Sequence, residues 1–109
     1  MQLTTAKIEV GDLVKSFKGL LHPQVPYEKV LLFGSHAKSN AGVESDIDIL
    51  IVSEETDINK LFEIGIKCRL LAWQLNSLIE PKVVSAEKFA SPPEGSILAE
   101  IKRTAIEIV

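Results

Sequence analysis

Between Ala6 and Leu21 the apolar residues Val10, Leu13, Val14, Phe17, Leu20 and Leu21 recur at spacings of three and four, the period of a helix with one apolar face. Thr4 or Thr5 stands where a cap would, while Gly11 and the alternation of Ile8 with Val10 leave the first turn open to a strand. His22-Pro23-Gln24-Val25-Pro26 breaks the period, because each proline restricts itself and the residue before it. The apolar run Val30 to Phe33 then predicts a first strand, which Gly34-Ser35 ends with a short helical turn behind it. After a polar loop around Asn40-Ala41-Gly42, the run Ile47 to Val52 predicts a second strand, whose continuous β-branched character suits burial on both faces.

Asp57 is positioned to cap a long helix reaching about Leu78. One stripe on it is Leu61, Ile64, Cys68, Leu71, Leu75 and Leu78, and Ile66, Leu70 and Trp73 form a second. A helix apolar over so much of its circumference needs more than one neighbour to cover it, either the rest of the domain or another chain. Pro81 to Ser85 predicts a third strand, with Pro81 at its start where a missing N–H is tolerated. Ser91-Pro92-Pro93 introduces a last helix through about Lys102, and Ala105 to Val109 either continues it or adds a short edge strand. The order is that of a small α/β sheet.

The 109 residues set the size of one domain, and 46% apolar with 25% charged residues is ordinary globular composition. No apolar run is long enough for a membrane span, and the first residues lack a basic segment followed by an apolar one, so a cytoplasmic protein with no membrane association is expected. Cys68 is the single cysteine and is expected in the core with Trp73, as packing residues. A net charge of -3 supplies no field for general nucleic-acid binding. It leaves room for a small anion such as a nucleotide, held by local backbone N–H groups and a metal.

Three features point to one site. In Phe33-Gly34-Ser35-His36-Ala37-Lys38 a glycine lets backbone approach a phosphate, and the Ser35 hydroxyl and N–H groups can donate to its oxygens. In Ser45-Asp46-Ile47-Asp48 the strand period of two puts both carboxylates on one face, with Cα atoms about 7 Å apart. Hard oxygen ligands so arranged suit Mg2+ that also binds substrate phosphates, although two aspartates can equally solvate a strand end. Glu80, before the third strand, could add a carboxylate to that face.

Gly34-Ser35, nine intervening residues, then Ser45-Asp46-Ile47-Asp48 resembles the signature of the minimal nucleotidyltransferases of the DNA polymerase beta superfamily. Phe33, Ala37 and Leu50 also stand at expected positions, and the likeness runs from the opening helix to Ile101-Lys102-Arg103. It implies a polymerase beta palm-like fold, a small mixed β-sheet flanked by helices (α/β, or α+β). It implies that Gly34, Ser35, Lys38 and Ser45 bind the substrate triphosphate, and that Asp46 and Asp48 bind Mg2+ and do the catalytic work. Two departures stand out: Lys38 replaces an arginine and loses its bidentate geometry, and Ser39 replaces a glycine. His36, at a variable position, is expected to be exposed.

The family's third carboxylate precedes a Ser-x-Glu turn, here Ser85-Ala86-Glu87. The commonest spacing from it lands on Lys82, which cannot bind metal while protonated. Glu80, two residues earlier on the same strand face, is the expected third acid, as metal ligand or general base. The resemblance further implies transfer of AMP from ATP to an acceptor hydroxyl, and a partner such as a HEPN-type helical toxin. A homo-oligomer is the other assembly considered. The alternative is a non-catalytic antitoxin of the same fold that neutralises its partner by binding alone.

Overall fold

A computed structural model describes residues 2–37 and 45–109. The chain runs α1 (Gln2–Leu21), β1 (Lys29–Phe33), β2 (Ile47–Ser53), α2 (Ile58–Leu75), β3 (Ile79–Ser85), α3 (Ala86–Ala90), α4 (Ile97–Thr104) and β4 (Ile106–Glu107). The four strands form one mixed sheet in the order β3-β2-β1-β4. β2 is antiparallel to β1 and parallel to β3, and β4 pairs antiparallel with β1.

Alternation along β2 explains its central place. Ile47, Ile49 and Ile51 point to one face, where they meet Val30 and Leu32 of β1, Val14, Phe17 and Leu21 of α1, and Cys68, Leu71 and Ala72 of α2. Leu50 and Val52 point to the other, where Leu31, Phe89 of α3 and Ile101 of α4 complete a smaller core. The apolar run, interrupted only by the half-buried Asp48, is thus a strand buried on both faces. Lys29 and Lys102 both lie over the Phe89 ring, at 5.9 and 5.6 Å from its centre. At the far end of the chain, Lys18 Nζ donates to the Ile108 carbonyl at 2.8 Å and Ile108 N–H to the Val30 carbonyl at 2.9 Å. No helix among the described residues is long and apolar enough to cross a membrane.

Several boundaries differ from those the pattern predicts. α1 begins at Gln2, so Thr4 and Thr5 lie within it and Ile8 with Val10 is helical. No glycine or proline precedes them, and threonine's modest helix penalty is too small to stop propagation. α2 is capped by Asp57, whose side chain accepts from the N–H groups of Asn59 and Lys60, but it ends at Leu75. There Asn76 turns the chain out, its Oδ1 accepting from Leu78 N–H at 2.8 Å, a local bond that competes with helix continuation. β3 consequently starts at Ile79, two residues early, and Pro81 sits inside it. The proline is tolerated because β3 is an edge strand.

α3 is an element the pattern did not predict. Ser85 caps it by accepting from Lys88 N–H at 3.2 Å, so the Ser-x-Glu turn continues into a helix. The last helix starts later than its prolines suggest, at a Ser96 cap. Of the two endings left open for the last residues, the edge strand forms. Cys68 is fully buried as expected, which pushes its thiol up to about 11. Trp73, expected to pack, is 60% exposed.

Candidate functional site

The turn after β1 and the start of β2 meet through the sheet register. Phe33 pairs with Asp48 across the antiparallel ladder, so Gly34 leaves β1 beside the Asp48 side chain. Gly34 has φ +77°, in the left-handed region that favours glycine. A Cβ at that position would run into the Asp48 carboxylate, coming within 3.1 Å of Cγ as well. Glycine is therefore required twice over, by the turn and by the aspartate. The gap its missing side chain leaves lies against a carboxylate oxygen. Ser35 follows in the same turn, half-buried.

His36 ties the two halves of the motif together. Its Nε2 lies 3.2 Å from the Ser45 carbonyl, which can only accept, so Nε2 carries the proton. His36 is half-buried rather than exposed, and its role is to hold the entry of β2 next to the Gly34-Ser35 turn. Ser45 thereby stands at the mouth of the site. Lys38 and Ser39, the two departures from the family pattern, lie outside the described residues.

The parallel ladder between β2 and β3 brings in the third acid. Asp48 pairs with Glu80 in register, and Leu50 with Lys82. Paired residues of neighbouring strands share a face at roughly 4.8 Å spacing, so Asp46, Asp48 and Glu80 project from one side of the sheet. That is the side of the smaller core, whose apolar residues Leu50 and Val52 continue the same row. Asp46 is exposed while Asp48 and Glu80 are half-buried.

The electrostatics follow from this crowding. Burial, first, and the neighbouring Asp46 push the Asp48 carboxyl above the usual carboxylate range, and Glu80 adds to this. Lys82 and His36 oppose the rise. Lys82, set aside by sequence reasoning as unable to bind metal, is therefore a member of the site. The signal that could have found it is the period of two from Glu80 along β3. Among the described residues no three His, Cys, Asp or Glu side chains close into a ready-made metal cage. The group is open, with acids along one edge, a bare glycine backbone at one end and a lysine at the other. Such a surface can hold a polyanion only with added positive charge between it and the acids.

Comparison with known proteins converges on the same part of the chain. The family model of the nucleotidyltransferase domain matches residues 14–105, which include every site residue named above. A Methanocaldococcus jannaschii protein named "Putative protein adenylyltransferase MJ0128" is 35% identical over 57 residues, 51% of this chain. The match spans 58% of that protein's own length. In fold, the chain is similar to the crystal structure of a "putative nucleotidyltransferase" from Sulfolobus solfataricus. The TM-score is 0.66 with 16% identity, covering 98% of this chain and 86% of the other.

Proposed function

Since the chain belongs to the nucleotidyltransferase domain family, we propose that it transfers AMP from ATP, with Mg2+, to an acceptor hydroxyl on a partner protein, the bond from the α-phosphorus to the β-phosphate oxygen breaking as pyrophosphate leaves. One observation carries this reading: the in-register pairing of Asp48 with Glu80, next to a Gly34 whose absent side chain leaves space at the Asp48 carboxylate. The name of the Methanocaldococcus jannaschii relative supports adenylyl as the group transferred. The resemblance supports a HEPN-type helical toxin as the partner, and a cytoplasmic setting suits both.

The donor set fits a hard divalent cation. Mg2+ is usually held by one or two carboxylates together with substrate phosphates and waters, so an open pair of aspartates is sufficient. Asp46 and Asp48 would hold it. Bound there, Mg2+ neutralises phosphate oxygens and lowers the pKa of a hydroxyl. The N–H groups of the Gly34 turn and the Ser35 hydroxyl donate to the triphosphate, fixing its α-phosphorus before the acids. Glu80, on the neighbouring strand, accepts the proton of the acceptor hydroxyl or completes the metal's ligands. His36 keeps Ser45 and the start of β2 in place while this happens.

ATP labelled in its α-phosphate, incubated with the protein, Mg2+ and a lysate of the host, tests the reading. Label should pass to a protein, and chelation of Mg2+ should stop it. Asp46→Asn and Asp48→Asn should each lower transfer at least about a hundredfold, the scale of losing a group that meets transition-state charge. Glu80→Gln should lower transfer while sparing ATP binding. Transfer by Asp48→Asn within a few fold of wild type would refute the assignment. ATP binding with no labelled acceptor would instead favour the non-catalytic antitoxin.

A further inference from the structure

The second apolar stripe of α2, Ile66, Leu70 and Trp73, stays outside both cores, and Ile58 and Phe62 extend it. Ile58 is 76% exposed, Phe62 71%, Ile66 47%, Leu70 52% and Trp73 60%. The first four recur at every fourth residue and so form a single i±4 row, the ridge by which helices most often pack on one another. Beside it, between α2 and the edge strand β3, runs a groove of about 420 Å³ that includes Phe62, Gly65, Ile66, Arg69 and Pro81. The five exposed side chains present on the order of 600 Å² of apolar surface. That is at the upper limit of the patch an ordinary monomer shows, roughly 300–600 Å². It approaches the roughly 800 Å² per partner that a stable interface buries.

We propose that this row is a homodimer interface, with α2 of one copy packed antiparallel on α2 of a second copy about a two-fold axis near Ile66. A two-fold contact must complement itself, and this row does. Phe62 and Leu70 stand one turn to either side of Ile66, so each copy's phenylalanine meets the other's leucine. Glu63 and Lys67 lie one turn apart on the same flank. Antiparallel approach therefore brings each copy's glutamate within two positions, about 3 Å along the axis, of the other's lysine on the same flank.

Arg69, bordering the row, comes level with the face of Phe62 in the second copy, a cation–π arrangement. Among the described residues nothing lies within 4 Å of the position a Gly65 Cβ would take, so the second helix can approach closely there. The outer edge of β3 does not compete for the second copy by adding a strand, because Pro81 has no N–H to offer. Both acid sites lie on the opposite face of the sheet from α2, and dimerisation leaves them open.

Sedimentation of the purified chain should show a species of twice the 12.0 kDa protomer mass that dissociates on dilution. Phe62→Glu should weaken the dimer about 30-fold or more, the scale of a lost interface anchor. Its melting transition should stay cooperative, since the residue is exposed in the protomer. Glu63→Lys and Lys67→Glu should each weaken association, and the two together should restore it, which no unspecific stickiness of the row would do. A monomer at every attainable concentration overturns the proposal. So does a dimer indifferent to Phe62→Glu, or a chain that stays monomeric alone and covers the row only with a different protein.

Discussion

The two faces of the sheet are cut from the same strands, yet they do opposite things. On the α1 and α2 side, Ile47, Ile49 and Ile51 of β2 are between 0 and 3% exposed, inside a cluster of apolar residues from β1, α1 and α2. On the other side Asp46, just before the strand, and Asp48, Leu50 and Val52 within it follow in turn. Only the last two are covered, by the short helices α3 and α4. A full layer of helices on one face supplies enough burial to hold the sheet. The other face can then leave half its length to charged groups that repel one another, which no stabilising purpose explains. The difference teaches that the acid edge is an opening in one layer, and that its stability comes from the layer behind it.

The strongest way to break that division is to attack the closed face. Phe17 is fully buried between α1 and the sheet, and Phe17→Ala should cost about 3–5 kcal/mol from lost burial and the cavity left behind. Chemical denaturation should read this as a lower midpoint. For a chain of this size the loss is a large share of the whole stability. A cost under about 1 kcal/mol would mean that the α1 layer does not support the sheet as described.

A second substitution tests where the two faces connect. Gly34→Ala places a methyl group both in a left-handed backbone position and against the Asp48 carboxylate. Backbone strain alone should cost about 1–3 kcal/mol, and displacement of the aspartate should remove nucleotide transfer. Ala37→Gly, in the same turn, should do neither of these. Equal ATP affinity and equal melting behaviour for Gly34→Ala and wild type would show that the turn is not the cradle it is taken for.

Much of this division is legible in the sequence. The run Ile47 to Val52, broken only by Asp48, announces a strand buried on both faces, and the alternation of Asp46 with Asp48 announces an acid edge on one of them. The two-part Gly-Ser and Ser-Asp-Ile-Asp motif carries the family. What escaped was set by contacts between elements. Glu80 was expected at the entry of a strand, and only the parallel register with β2 places it beside Asp48. Lys82 looks like a failed ligand in one dimension, where residue type is visible and the neighbouring strand is not. α3 was missed because a five-residue helix has too few turns to show a period. Trp73 was expected to pack because helical spacing marks which residues share a stripe, and says nothing of whether anything lies over it.

The smallest effect separates the two faces by sign, since a core truncation destabilises while removing a crowded site charge should stabilise. Asp48 titrates above its ordinary range because burial and the Asp46 and Glu80 charges disfavour its ionised form. A carboxyl whose pKa is higher folded than unfolded binds its proton more tightly in the native state. The stability this lends is complete below the unfolded pKa and is lost as pH rises through the folded one. At neutral pH, without metal, the wild type therefore carries a penalty that Asp48→Asn removes. The variant should melt higher by less than about 1 kcal/mol, because solvent screens a half-exposed group.

Mg2+ should reverse the order. A cation bound to the ionised carboxylates stabilises the wild type more than the variant, which keeps only Asp46 and Glu80, by mass action on the folded state, and does so better as pH rises through the same window. Melting curves of both proteins across mildly acidic to neutral pH, with and without Mg2+, check each sign. An Asp48→Asn protein less stable than wild type in the absence of metal would mean that the aspartate serves the fold, and that the acid edge is not a gap held open for a ligand.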